Sequence, residues 1–173
     1  RRVDLLAVGG FDQRFPKADN EDVDLSFRVK ALGGVFVFVP AAIVWHKHRE
    51  GLCNYFSLKV SRGFWRMRVY RKHPEKVGND SYTPFAMKLQ MLIIPGIFPA
   101  FIFPALLPLL VALWLFSCVP LIRLAFAGKR KTMDLSVWVP FFCLIRGIAL
   151  WTGILQERLN SVRPLQSPTS GAL

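Results

Sequence analysis

Glu21, Asp22 and Asp24 place three carboxylates within four positions of a chain that has 23 Lys+Arg and only 11 Asp+Glu. Clustered acid in a basic protein has two readings here. At the start of a helix, carboxylates interact favourably with the helix dipole. A carboxylate at a helix head, next to a glycine-rich turn, can instead serve as a general base that takes the proton from an attacking hydroxyl. The turn is Gly9-Gly10-Phe11-Asp12. Asp22 and Asp24 are two apart and do not share a helix face. His46 is the second chemical candidate. It closes the run Val44-Trp45-His46, followed by Lys47 and His48. A strand-end imidazole points at a sheet's ligand edge, where metals and phosphates bind. The other reading of His46 is a structural histidine among aromatics.

The elements that would position these groups follow from pattern. Val3 to Val8 reads as a short helix or turn running into the glycine pair, which tolerates positive φ. Asp19 or Asn20 can cap a helix from Val23 to about Leu32, with Leu25, Val29 and Leu32 on one face. Gly33-Gly34 ends it. Val35 to Val39 is a β-branched and aromatic run, predicted as a buried strand. Pro40 interrupts it, and Ala42 to His46 is predicted as a second short strand. Leu52 to about His73 reads as a long helix carrying Arg62, Arg66, Arg68, Arg71 and Lys72 beside Phe64, Trp65 and Tyr70. Basic plus aromatic residues on one helix fit either a membrane-surface position or a solvated helix with one packed side.

The second half is of a different kind. The 173-residue chain is 53% hydrophobic yet has a formal net charge of +12, and its mean hydropathy is +0.34. Grease and charge coexist because they are segregated. Met91 to Ile122 holds no charged residue over about 32 positions, and an apolar stretch beyond roughly 18 residues reads as membrane-spanning. That length is long for one straight span and short for two. The Lys and Arg after it favour a proline-broken hairpin under the positive-inside rule; a single tilted span is the competitor. The predicted organisation is 1–75 as a water-facing domain, 76–88 as linker and 89–124 as the apolar hairpin or single long span. Next come a basic loop at 125–134, a transmembrane helix at 135–155 and a polar tail at 156–173. Arg146, inside the last span, should face protein or reach the surface.

Composition also excludes. A pI near 10.3 suggests nucleic acid, but the basic residues cluster beside the apolar run, where they meet anionic headgroups. No nucleic-acid partner is expected. Cys53, Cys118 and Cys143 are widely spaced and make no metal or disulfide pattern.

An ordered set of short strings is more specific than any one of them. Val8-Gly9-Gly10-Phe11-Asp12, then Asn20-Glu21-Asp22-Val23-Asp24-Leu25-Ser26-Phe27-Arg28, then Gly33-Gly34, then Val39-Pro40-Ala41 and Val44-Trp45-His46, resembles the C-terminal half of the catalytic domain of family-2 glycosyltransferases. The match covers roughly residues 1–75. The resemblance implies an α/β fold class, a partial GT-A catalytic domain followed by α-helical transmembrane segments. It implies an inverting enzyme that moves a sugar from a nucleotide-diphosphate donor to a hydroxyl of a glycan or lipid-linked acceptor. Asp22 would be the general base and Glu21 would position base or acceptor. Gly9, Gly10, Phe11 and Asp12 would border the acceptor. His46 would lie at a divalent metal, Mg or Mn, acting on the departing diphosphate. The chain would be a multi-pass protein of the inner (plasma) membrane with its catalytic part cytoplasmic. The family's nucleotide-binding half with its Asp-x-Asp motif is not matched, since Asp22-Val23-Asp24 stands at the base position. The expectation is therefore a fragment inactive alone. The Gln-x-x-Arg-Trp string of processive synthases is also lacking. The competing expectation is a non-enzymatic, basic, membrane-anchored module that binds anionic lipid or a partner protein.

Overall fold

The computed structural model describes residues 2–16, 18–46, 50–79, 83–127 and 133–162. In chain order these form α1 (Arg2–Ala7), α2 (Glu21–Ala31), α3 (Leu52–Lys72), α4 (Lys76–Asn79) and α5 (Phe85–Ile102). A single 3-10 turn (Pro104–Leu106) leads into α6 (Leu107–Ala127), and α7 (Met133–Val162) follows. The chain divides into two compact units, Arg1–Val77 with Thr152–Leu173, and Gly78–Trp151.

No β-strand occurs among the described residues, so the fold is all-α and the α/β expectation is corrected. The error lies at residues 35–46. Val35, Val37 and Phe38 have the composition of a buried strand but are 80%, 76% and 87% exposed. A strand's amides and carbonyls need a neighbouring strand as partner, and no described segment supplies one. The backbone instead turns at Pro40, where the Ala42 amide donates to Val39 C=O at 3.0 Å and the Ile43 amide to Ala41 C=O at 3.0 Å. Composition specified what a sheet would accept, and the described residues form no sheet.

In the first unit, helix ends follow local chemistry. Gly33, at φ +82°, donates to Lys30 C=O, and Gly34 donates to Val29 C=O, the paired bonds of a Schellman cap. α2 thus stops where its glycine pair predicts. The end of α7 lies against α3 at a very short distance. A Cβ built on Gly153 would stand 2.0 Å from Val60 C=O, so only glycine permits this approach.

Among the described residues three stretches are long and apolar enough to cross a membrane, Phe85–Ile102 and Pro104–Phe126 in the second unit and Ser136–Ser161, which begins there and ends in the first. The apolar run breaks at Phe103 and the 3-10 turn, and α5 and α6 lie against each other. Large side chains such as Leu92, Phe98, Phe101 and Phe116 face outward, as lipid-facing residues do. Gln90, Ser117 and Ser136 are turned inward. Gln90 is buried and donates from Nε2 to Ser117 Oγ at 3.1 Å. Arg146 donates from Nη2 to Gln90 Oε1. The cation in the middle of α7 is therefore turned toward protein, as an intramembrane charge would require. The α6 helix runs through the first part of the predicted basic loop; residues 128–132, with Lys129, Arg130 and Lys131, lie outside the described residues. α7 extends past the predicted end at 155, and 163–173 of the predicted tail also lie outside them.

Candidate functional site

The head of α2 is built around Asp24. This side chain is fully buried and meets three cationic or ionisable groups. Arg28 Nε, one turn along, donates to Oδ2 at 2.8 Å. Lys72 Nζ lies 2.8 Å from Oδ1 and His73 Nε2 lies 2.9 Å from the same oxygen. Burial pushes the Asp24 carboxyl upward, but the hydrogen bonds from Lys72, His73 and Arg28 outweigh it and hold the group below the usual carboxylate range. The end of α3 is thereby locked to the start of α2. Arg28 Nη1 also donates to Val8 C=O, tying α2 to the turn after α1.

Lys72 carries the network outward. Its Nζ also lies 2.8 Å from Asp12 Oδ2. Asp12 accepts from Arg14 Nη2 at 2.9 Å and from Nε at 3.1 Å. The Arg14 bonds, opposed by burial and helped by Lys72, hold the Asp12 carboxyl far below its usual range. Asp12 and Lys72 line a cavity of about 510 Å³, with Trp65, Arg68 and Arg71 from α3 and Glu157 from the end of α7. Phe15 packs against Trp65 with ring centroids 5.4 Å apart. Arg68 lies over the Trp65 ring at 4.9 Å, a cation–π contact. Arg71 Nη1 pairs with Glu157 Oε1 at 3.1 Å.

The predicted site residues are distributed over this arrangement unevenly. Asp22 is exposed on the first turn of α2, outside the cavity lining. Its Oδ1 accepts from the Val23 amide at 2.8 Å, a bond to one of the amides that a helix start leaves without an intrahelical partner. Glu21 is half-buried, and its Oε2 is buried with no hydrogen-bond partner. Asn20 adopts the left-handed region at φ +67°, and neither it nor Asp19 caps the helix through its side chain. Asp19 instead accepts from Ser61 Oγ and Asn20 Nδ2. Gly9 and Gly10, at φ +76° and +68°, close α1 by donating to Leu6 and Leu5 C=O at 3.0 and 2.8 Å. They and the exposed Phe11 do not line the cavity; Asp12 does.

His46 is exposed in the non-helical segment before α3, and Lys47 and His48 lie outside the described residues. Among the described residues, no three His, Cys, Asp or Glu side chains gather as a set of metal ligands. The carboxylates of Asp12 and Asp24 are already taken up by Arg14, Lys72 and Arg28. The described residues therefore do not make up a fitting divalent-cation site.

Sequence reasoning missed the residues that organise the site. Asp24 and Arg28 are four apart, a spacing that announces a helical ion pair. Lys72 and His73 gave no such signal, because they are distant in sequence. Glu157 sits two positions past the apolar end of the last predicted span, at the edge where helix gives way to tail. A scan against family models, a search of curated proteins and a search of solved structures each found no match.

Proposed function

We infer that this chain serves an inverting glycosyltransferase of the membrane, with Asp22 as the base that deprotonates the acceptor hydroxyl. The observation that carries the reading is the anchored head of α2. Asp24, clamped by Arg28, Lys72 and His73, fixes the turn on which Asp22 stands, and the Asp22 carboxylate is left accessible on that rigid support. A general base must be held in place and be reachable by the proton it takes. The ordered strings around Gly9-Gly10, Glu21-Asp22 and His46 support the same reading. The donor would be a nucleotide-diphosphate sugar and the acceptor a glycan or lipid-linked hydroxyl. The chain would cross the inner membrane several times with this unit on the cytoplasmic side. A divalent metal, if the reaction uses one, would need ligands beyond the set described above.

The test is Asp22→Asn in the full-length protein in native membranes. Sugar transfer from the donor should be abolished while expression and membrane insertion persist. Transfer at near wild-type rate removes Asp22 from the role. A second reading is a non-catalytic, basic membrane module. It is favoured by the position of Asp22 outside the cavity and by its hydrogen bond to its own helix. On that reading Asp22→Asn alters nothing beyond a small change in helix stability, and no donor sugar is consumed by the wild type.

A further inference from the structure

The cavity of the first unit has a composition that the transferase reading does not use. Four cations line it (Arg14, Arg68, Arg71 and Lys72) against two carboxylates, Asp12 and Glu157. Their arrangement is as telling as the excess. Arg68 lies near both Phe64 and Trp65, each ring centroid 4.9 Å from its guanidinium carbon. Its Nε stands 4.0 Å from Glu157 Oε1, beyond hydrogen-bond distance. A guanidinium that rests against aromatic rings and has its nearest carboxylate beyond hydrogen-bond distance has donors to offer a phosphate. Glu157 supplies the complementary signal. It is 2% exposed, its Oε1 pairs with Arg71, and its Oε2 is buried without a hydrogen-bond partner. A buried carboxylate oxygen left unpaired is costly and calls for a donor. A ligand that satisfies both features brings an anion for the arginines and a hydroxyl for Glu157.

The level of the cavity in the membrane narrows the source. Glu157, Asn160 and Ser161 belong to the last turns of the candidate span Ser136–Ser161. The apolar part of that helix, Val137 to Leu155, is roughly 20 residues, or about 30 Å at 1.5 Å per residue, which matches the hydrocarbon core. With that stretch in the hydrocarbon, the next turn would lie among the headgroups.

We propose that this cavity binds a phosphate ester whose neighbouring group carries hydroxyls, such as the glycerol phosphate headgroup of an anionic lipid or the same ester free in solution. The phosphate sits between Arg68 and Arg71, and a hydroxyl donates to Glu157 Oε2. Asp22 takes no part, so the inference stands apart from the transferase reading and gives the membrane-module reading a specific ligand.

The test uses the full chain in two settings. In detergent, calorimetry measures binding of glycerol 3-phosphate and of inorganic phosphate. In nanodiscs of phosphatidylcholine doped with phosphatidylglycerol, native mass spectrometry measures which lipid is retained. Wild type should prefer glycerol 3-phosphate to inorganic phosphate. Arg68→Gln should weaken both by about ten- to a hundredfold, the worth of a charged hydrogen bond. Glu157→Gln should erase the preference. Asn160→Glu, at an exposed lining position, should abolish binding without disturbing the fold, and it serves where the arginine variant fails to fold. Retention of phosphatidylglycerol by wild type but not by Asn160→Glu identifies a lipid headgroup; binding of glycerol 3-phosphate without lipid retention identifies a free ester. Absence of binding in both settings, or Asn160→Glu binding as wild type does, overturns the proposal. So does a preference that survives Glu157→Gln. Asp22→Asn should bind as wild type, which separates failure here from failure of the base assignment.

Discussion

Asp22 and Asp24 differ by two positions and should differ by several kcal/mol in what they do for stability. Replacing Asp24 by Ala removes the counter-charge shared by Arg28, Lys72 and His73, all within 2.9 Å of its oxygens. The carboxylate is fully buried, and Arg28 keeps only 18% of its side chain exposed. Breaking a buried pair by removing one partner costs about 3–5 kcal/mol, because the other charges stay buried without compensation. Asp22 is exposed and makes one bond to its own helix start. Its removal costs about 0.3–1 kcal/mol, the worth of a carboxylate near a helix N-terminus. In a domain of this size 1 kcal/mol moves the melting midpoint by roughly 4–8 °C. Asp24→Ala should therefore lower the midpoint of the first unit by at least about 12 °C and Asp22→Ala by less than about 8 °C. The assay is thermal melting in nanodiscs followed by near-ultraviolet dichroism at pH 7, with lipid composition held fixed. Equal shifts for the two variants, or a wild-type midpoint for Asp24→Ala, would refute the claim that Asp24 is the clamp and Asp22 the open group.

Acid should act through the same residues. Asp12 and Asp24 have carboxyls held below their ordinary values in the folded state. Their contribution is complete above the unfolded value near pH 4 and is lost as pH falls below it toward the folded values. The melting midpoint of the first unit should hold between about pH 7 and pH 5 and fall below about pH 4; Asp24→Asn should flatten part of that fall in the same titration. Gly153→Leu should separate the end of α7 from α3, since any Cβ meets Val60 C=O at 2.0 Å. A drop in melting temperature larger than that of Gly78→Leu, where a Cβ meets nothing within 4 Å, is the expected readout.

The sequence was a good guide where the information is local. The glycine pair after α2 ends that helix through backbone bonds that only neighbouring residues make. The uncharged stretch from Met91 is read by counting. It was a poor guide where a residue's state depends on something distant. Val35 to Val39 has every local mark of a strand, but pairing is a property of two segments and the second is not among those described. The same holds for the acids. Local rules placed Glu21, Asp22 and Asp24 at a helix start without ranking them. Only the arrival of Lys72 and His73 from the end of α3 makes Asp24 the buried one. Asp12 was chosen for its glycine-rich setting, and it lines the cavity for another reason, its bonds to Arg14 and Lys72.

The Arg146–Gln90 bond has a consequence for biosynthesis. A lone arginine near the middle of a nascent span raises the barrier to leaving the translocon by about 2.5–3.5 kcal/mol. Gln90 and Ser117 are translated earlier, on the α5–α6 pair, and stand ready to receive the guanidinium. Where the three candidate helices enter a membrane, lateral release of α7 should wait for docking onto its predecessors, which would make their integration an ordered event and not three independent ones.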